Sequence, residues 1–142
     1  MLSSTCKAAI KAVVFLASSN QREGKKSLNS IAGHIAASEH TVGKMLQSLV
    51  KDQIIKSSKG PGGGFYITEK QTTIPIIKIV AAIDGMDIFK ECGLGLSKCS
   101  SVRPCPIHHE YKKARDLYEQ IFRNNTVFDL CKPINNKIAW LT

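Results

Sequence analysis

Three of the five cysteines and two of the four histidines lie between residues 90 and 110, in the stretch KECGLGLSKCSSVRPCPIHHE. Six residues separate Cys92 from Cys99, five separate Cys99 from Cys105, and two separate Cys105 from His108. Thiolate and imidazole groups bind transition metals and iron–sulfur clusters, and thiols are also redox-active. The spacing therefore predicts a metal, cluster or redox site in this loop.

The gaps between the cysteines distinguish among these kinds of site. Structural zinc sites typically pair their ligands in knuckles of two to four intervening residues, and the gaps here are wider. A loop of this width favours an iron–sulfur cluster, with three thiolates and one imidazole available as ligands. Cluster-free redox or thiol sensing and a zinc site are the two alternatives.

The N-terminal apolar stretch bears on the cellular compartment. Its apolar residues recur at helical spacing and Lys11 interrupts the run, so we expect an amphipathic helix over about residues 4 to 19 and not a signal peptide. No stretch reaches the roughly 18 to 20 apolar residues of a membrane span. We therefore expect a cytoplasmic protein without a membrane segment, whose cysteines stay reduced.

Basic residues outnumber acidic residues by 20 to 11, for a net charge of +9. The first 70 residues hold 10 of the basic residues and only 4 of the acidic ones. A positive field of this kind favours a polyanionic partner such as nucleic acid, although charge alone does not establish one.

Residues 28 to 52 have the pattern of a helix-turn-helix. Two short amphipathic helices flank a turn near Ala36–Ser38, and Ser38 is placed to cap the second helix. A hairpin with the glycine-rich tip KGPGGG follows, which predicts a winged helix-turn-helix domain over residues 1–70. The expected core residues are Leu28, Ile31, Ala32 and Ile35 in the first helix and Val42, Met45, Leu46 and Leu49 in the second.

The second helix of this motif is the expected reader of DNA, because its N-terminal residues lie nearest the bases in the major groove. Glu39 could accept from a cytosine amino group, His40 could meet a purine edge, and Lys44 suits a phosphate or guanine. We expect Gly43 to allow close approach to DNA. The predicted DNA-binding residues are Ser38, Glu39, His40, Thr41, Gly43 and Lys44 on the helix and Lys59, Gly60, Pro61, Gly62 and Gly63 in the wing.

The second half of the chain predicts a connecting helix over 71–90, the cysteine-rich loop over 91–106, and a dimerisation helix and tail over 107–142. Within the connecting segment, TIPIIKIVAAIDG predicts a compact apolar helix with Pro75 near its first turn and Gly85 just past its end. From about Pro106 to Phe122, apolar residues recur at alternating steps of four and three, as in a coiled-coil seam. The fold class is thus mainly α with a small β-hairpin wing. The residues of the seam are Ile107, Tyr111, Ala114, Tyr118 and Ile121.

Together, SLNSIAGHIAASEHTVGKMLQSLVKDQIIKSSKGPGGGFYIT, IVAAIDG and the three cysteines resemble the Rrf-two family of winged-helix regulators, typified by IscR and NsrR. The resemblance runs from the first helix to about residue 130 and is most specific in KGPGGGFYI and the cysteine trio. It implies a homodimeric transcription factor, usually a repressor, that binds a pseudo-palindromic operator in double-stranded DNA. Since other members respond to different signals without a cluster, a cluster-free redox or ligand-responsive regulator is the alternative.

The ending Cys-Pro-Ile-His is similar to that of the family's iron–sulfur assembly regulator, in which the matching histidine and three cysteines ligate a [2Fe–2S] cluster. The resemblance therefore implies Cys92, Cys99, Cys105 and His108 as ligands, and favours [2Fe–2S] over [4Fe–4S].

The family's nitric-oxide sensors instead take a ligand from an acidic residue on the partner's first helix. The matching position is about Lys7, which cannot serve while protonated. Its neighbour Cys6 could donate across the dimer; otherwise Cys6, like Cys131, is expected to be a buried apolar filler.

An enzyme is the rival class of function. A thiol or iron–sulfur oxidoreductase predicts a CxxC pair or paired acid and base groups. The sequence has no CxxC pair and no nucleotide-binding loop, and it has no carboxylate pair near the cysteines beyond Asp84, Asp87 and Glu91. We therefore expect a regulator and not an enzyme.

Overall fold

The computed structural model describes residues 1–18 and 24–141. Residues 19–23 and residue 142 lie outside the described residues, and with them the predicted end of the first helix at residue 19. The elements are helices α1 (Ser4–Ser18), α2 (Leu28–Ile35) and α3 (Glu39–Lys51), strands β1 (Lys56–Ser58) and β2 (Gly64–Tyr66), helices α4 (Glu69–Thr72) and α5 (Ile77–Ile83), a 3-10 turn (Asp87–Phe89), and helices α6 (His108–Asn124) and α7 (Val127–Asn135).

Helix α1 forms the centre of the core. Its residues Ala9, Ala12, Val13 and Val14 are fully buried, and it packs against α2, α3, α5 and α7. A helix that is covered on several sides needs small and apolar residues around most of its circumference. Within the described residues, no helix has the length and the apolar run that a membrane span requires.

The helix-turn-helix predicted from the sequence is confirmed. Ser27 and Ser38 cap α2 and α3, each accepting a hydrogen bond from a backbone N–H three residues later. Between the helices, Ala36 adopts a left-handed conformation that ends α2 and turns the chain. All the predicted core residues of the two helices are buried, except that Leu28 is only partly buried.

The wing is a short antiparallel hairpin in which Lys56 pairs with Tyr66 and Ser58 with Gly64. A third segment joins it, because Lys26 N donates to Phe65 O at 2.9 Å and Phe65 N donates to Lys26 O at 2.8 Å. The chain that precedes α2 is therefore hydrogen-bonded to β2, which lies between this segment and β1.

Residues 71–90 do not form one continuous helix but are divided into α4, α5 and the 3-10 turn. The compact apolar helix predicted in TIPIIKIVAAIDG is confirmed as α5, which ends before Gly85. Pro75 separates α4 from α5, because proline lacks an N–H and disfavours helical geometry in the residue before it. Gly85, with a φ of +76°, follows the end of α5 and directs the chain into the turn.

The short tail predicted after the long helix contains a further helix, α7. A capping box begins it, in which the side chains and backbone of Thr126 and Asp129 satisfy one another. Val127 and Cys131 are buried, so α7 covers α1. In the sequence, TVFD places Thr126 three residues before Asp129, a pattern that indicates the start of a helix. Beyond α7, Trp140 is 74% exposed.

Candidate DNA-binding surface and cysteine loop

The N-terminal half of α3 presents a polar surface, because burial of Val42 and Met45 turns the opposite face outward. Glu39, His40 and Lys44 are exposed on that face. A carboxylate, an imidazole and an ammonium group are side chains that can contact base edges and phosphates.

The side chains of Ser38 and Thr41 are hydrogen-bonded to each other at the start of α3. The Ser38 hydroxyl accepts from Thr41 N at 3.3 Å and donates to Thr41 Oγ1 at 2.9 Å. The two hydroxyls therefore stabilise the start of α3, which fixes the direction in which Glu39 and His40 project.

The structure shows a packing role for Gly43 within the motif. A Cβ placed on Gly43 would lie 3.2 Å from Leu28 Cδ1 of α2, a tight contact. The missing side chain therefore lets the two helices of the motif pack closely. Close approach of Gly43 to DNA stays a prediction.

The tip of the wing is exposed at Lys59, Gly60, Pro61 and Gly62. Gly63 is partly buried, and a Cβ on it would lie 2.4 Å from Ser58 O. Gly63 is thus required by the turn of the hairpin itself, while the exposed residues before it are free to meet another surface.

Sequence reasoning missed two basic residues beside the wing, Lys25 and Lys26. Lys26 carries the backbone pairing with Phe65, and the exposed Lys25 places Nζ 5.4 Å from the centre of the Tyr66 ring. Both therefore add positive charge to the wing. The basic pair after Gly24 was the available signal.

The cysteine loop connects the 3-10 turn to α6 and brings the four predicted ligands together as two pairs. Cys92 Sγ and Cys105 Sγ are 3.7 Å apart. Cys99 Sγ and His108 Nδ1 are 3.3 Å apart. In the described part of the chain, no three histidine, cysteine or acidic side chains form a single group that could hold a metal ion.

These separations are close to those of two ligands on one tetrahedral ion. Two sulfurs with metal bonds of about 2.3 Å lie about 3.8 Å apart, and a sulfur and an imidazole nitrogen lie roughly 3.6 Å apart. The Cys92–Cys105 distance of 3.7 Å fits the first value, and the Cys99–His108 distance of 3.3 Å is slightly shorter than the second. Each pair can therefore accept an ion with little movement.

The surroundings of Cys92 favour its thiolate form. Hydrogen bonds from the backbone N–H groups of Leu94 and Leu96 lower the pKa of the Cys92 thiol, with smaller contributions from Cys105 and from the charge of Arg115. Burial acts in the opposite direction. A thiolate held by backbone donors is preorganised as a metal ligand.

His108 is the first residue of α6 and is 5% exposed, whereas its neighbour His109 is exposed. The two rings are nearly perpendicular, with centroids 5.3 Å apart. Of the two histidines, His108 is thus the one that faces the cysteines.

The sequence option that Cys6 donates a ligand across a dimer is wrong, because Cys6 is fully buried beneath α5 and the 3-10 turn. Burial, with a smaller effect of Asp84, raises the pKa of the Cys6 thiol to about 12. Cys131 is 3% exposed, and burial raises its pKa to about 11. The expectation that both are apolar fillers is confirmed.

One member of the predicted α6 seam packs inside the chain. Tyr118 contacts the buried Phe89 with a ring separation of 5.9 Å, and Phe122 joins the same aromatic group. The outer face of α6 nonetheless remains apolar, with Leu117 61% exposed and Ile121 52% exposed. The exposed apolar surface of α6 therefore includes Leu117 and Ile121, while Tyr118 of the predicted seam packs inside the chain.

The sequence of this chain matches known regulators over nearly its full length. The model of the Rrf2 family, described as iron-dependent transcriptional regulators, matches residues 2–133. An Aquifex aeolicus protein named as an HTH-type transcriptional regulator is 27% identical over 132 residues, or 92% of this chain and 90% of that protein. The regulator BadM of Rhodopseudomonas palustris is 27% identical over 129 residues, or 89% and 78% of the two chains.

Solved structures share the fold. CymR, described as the global cysteine regulator of B. subtilis, superimposes with a TM-score of 0.75 at 21% identity, covering 92% of this chain and 95% of that one. The IscR of T. potens gives a TM-score of 0.74 at 21% identity, covering 99% and 92%. The relatives are transcriptional regulators, so the expectation that the chain is not an enzyme is confirmed. The chain belongs to the Rrf2 family of DNA-binding transcriptional regulators.

Proposed function

We propose that the chain is a cytoplasmic, homodimeric repressor whose affinity for a pseudo-palindromic DNA operator is controlled by a [2Fe–2S] cluster on Cys92, Cys99, Cys105 and His108. The observation that carries this proposal is the division of the four side chains into two pairs, at 3.7 Å and 3.3 Å.

The pairing supports a [2Fe–2S] cluster over a [4Fe–4S] cluster. In a [2Fe–2S] cluster each iron takes two protein ligands, whereas a [4Fe–4S] cluster takes one ligand per iron. Two separate pairs match the first arrangement. Such a cluster supplies an iron centre that gains and loses electrons and can be damaged by oxidants.

The protein's own contribution is to hold these ligands at the start of α6. His108 is fixed by its place in the first turn of the helix, and Cys92 by the N–H groups of Leu94 and Leu96. Closing the loop around four ligands fixes the 3-10 turn relative to α6. In a dimer this sets the separation of the two α3 helices, which must match half-sites about one helical turn apart.

DNA would be bound by α3 and the wing. Glu39, His40 and Lys44 are exposed to reach base edges and phosphates, and Lys59, Gly60, Pro61 and Gly62 are exposed to follow the adjacent backbone or minor groove. The dimer would form through the apolar surface of α6 around Leu117 and Ile121, which lies on the side of the helix away from Phe89.

The cluster is tested by anaerobic purification, with iron and sulfide counts and a visible spectrum. We expect about two irons per chain and a spectrum that shifts in His108→Ala but not in His109→Ala, the adjacent exposed histidine. Four irons, or a spectrum indifferent to His108, would overturn the [2Fe–2S] assignment. A colourless protein after reconstitution with iron and sulfide would overturn the cluster altogether.

DNA binding is tested on a duplex selected by the protein from a random-sequence pool. Lys44→Gln should weaken binding and reduce the slope of log affinity against log salt by about one, since one phosphate contact is removed. Lys137→Gln carries the same charge change beyond the end of α7 and should leave the slope unchanged. Equal slopes for the two variants would remove Lys44 from the interface.

A second candidate, a cluster-free thiol sensor, is favoured by the Cys92–Cys105 separation of 3.7 Å. In the absence of iron these two thiols could give two electrons and two protons to hydrogen peroxide, forming a disulfide and water. Peptide mass analysis after peroxide treatment would reveal a Cys92–Cys105 link, and it should survive in Cys99→Ser. Changed operator affinity on forming this link in a protein that never binds iron would favour this candidate.

A further inference from the structure

The first arm of the cysteine loop, residues 90–93, is held against α6 at two points. Arg115 Nη1 donates to Lys90 O at 3.1 Å and to Glu91 O at 2.8 Å. One turn earlier on the helix, the Tyr111 ring covers Gly93 so closely that a Cβ on Gly93 would lie 2.6 to 2.8 Å from three ring atoms. The backbone on both sides of Cys92 is therefore in contact with α6.

These two contacts share one face of α6 with a predicted ligand. Residues 108, 111 and 115 are three and four positions apart, so their side chains project from the same side of the helix. His108 meets Cys99, Tyr111 meets Gly93, and Arg115 meets the carbonyl groups before Cys92. A single helical face therefore contacts the loop near two of its three cysteines.

The side chain of Arg115 is suited to connect the loop rigidly to the helix. A guanidinium bound to two successive carbonyls makes charge-assisted hydrogen bonds in a fixed plane. Its Nε is buried and has no hydrogen-bond partner among the described residues. A buried donor without a hydrogen-bond partner is costly. The guanidinium also brings a positive charge near Cys92, and this charge would offset the negative charge of thiolate-bound iron.

We propose that Arg115 is a positioning residue that ties the first arm of the cysteine loop to α6, so that α6 moves with the loop when its ligands are engaged or released. The proposal deepens the proposed function and relies on it for the nature of the signal. The contact of Arg115 with the loop is present in the cluster-free chain, so it is tested in cluster-free protein.

The experiment is hydrogen–deuterium exchange, followed by mass spectrometry, on cluster-free wild type, Arg115→Gln, Arg115→Lys and Arg123→Gln. Arg123 is a matched control because it lies on the same helix and pairs with Glu119 at 2.6 Å. In Arg115→Gln we expect amides of residues 91–95 to exchange at least about tenfold faster, since two hydrogen bonds to a charged group are lost. Arg115→Lys keeps the charge without the planar fork and should fall in between.

Wild-type exchange of residues 91–95 in Arg115→Gln, with α6 protection intact, would overturn the proposal. If Arg115→Gln unfolds α6, Arg115→Lys decides: faster loop exchange with an intact helix supports the tie, and unchanged exchange overturns it. In iron-loaded protein, Arg115→Gln should also reduce the ratio of DNA affinities between the loaded and cluster-free forms. If wild-type protein never takes up iron, the proposed function is wrong. The exchange experiment on cluster-free protein would still test the role of Arg115.

Discussion

Asp84 caps the first helix from the end of α5, 81 positions away in sequence. Its Oδ2 accepts from Ser3 N at 2.8 Å and its Oδ1 accepts from Ser3 Oγ at 2.5 Å. Ser3 Oγ in turn accepts from Cys6 N at 3.0 Å. The carboxylate therefore fixes the start of α1 to the segment that leads into the cysteine loop.

Asp84→Ala should lower the free energy of unfolding by about 1 to 2 kcal/mol, because it removes both acceptors of this remote cap. Urea denaturation near neutral pH measures the change. Asp87→Ala, which removes an exposed carboxylate three residues later, is the control and should change stability much less. Equal unfolding midpoints for the two variants would show that the Ser3–Asp84 contact contributes nothing to stability.

The five cysteines should separate into two reactivity classes. Cys6 and Cys131, with pKa values of about 12 and about 11, hold almost no thiolate near pH 8 and are shielded from reagents. In cluster-free native protein, iodoacetamide should therefore modify only the three loop cysteines, as read by peptide mass analysis. Unfolding in urea should make all five reactive. Modification of native Cys6 at the rate of Cys99 would contradict the burial of α1.

The capping box of α7 should give stability a dependence on acid pH. Hydrogen bonds from the backbone and hydroxyl of Thr126, with a smaller effect of Lys132, hold the pKa of Asp129 below its usual value. The native state then binds fewer protons than the unfolded state. The contribution of Asp129 is complete above the unfolded-chain pKa of about 3.9 and is lost as pH falls through the lower native pKa.

The lowered pKa of Asp129 predicts how the stability of Asp129→Asn depends on pH. The variant should be less stable than wild type near neutral pH, and the difference should shrink as pH falls below about 4. Urea denaturation at a series of pH values measures it. A stability difference that is independent of pH would mean that the charge of Asp129 plays no part in the cap.

Leu117→Glu should convert the proposed dimer into a monomer, since it places a charge on the apolar surface of α6, where the side chain is 61% exposed. Sedimentation velocity measures the oligomeric state. Val102→Glu, at an 88% exposed position in the cysteine loop, adds the same charge away from α6. A Leu117→Glu protein that sediments as wild type would exclude this surface from the interface.

The winged helix-turn-helix could be predicted because its signals are local. Ser38 lies four residues before Val42, where an apolar pattern at helical spacing begins, and three glycines in a row mark the wing. The helix α7 was harder to predict. Helix α7 is short, carries Pro133, and owes its burial to α1 more than 100 positions earlier.

For the site, the sequence was enough to predict the available side chains and their chemistry, because three thiols and an imidazole lie in one loop before an amphipathic helix. How the ligands pair, and that Cys6 is buried away from the loop, depend on the folded chain and could not be read from the sequence. Ligand pairing depends on the path that the loop takes across α6. That path is set by contacts such as Arg115 with Glu91 and Tyr111 with Gly93, which join residues 18 to 24 positions apart.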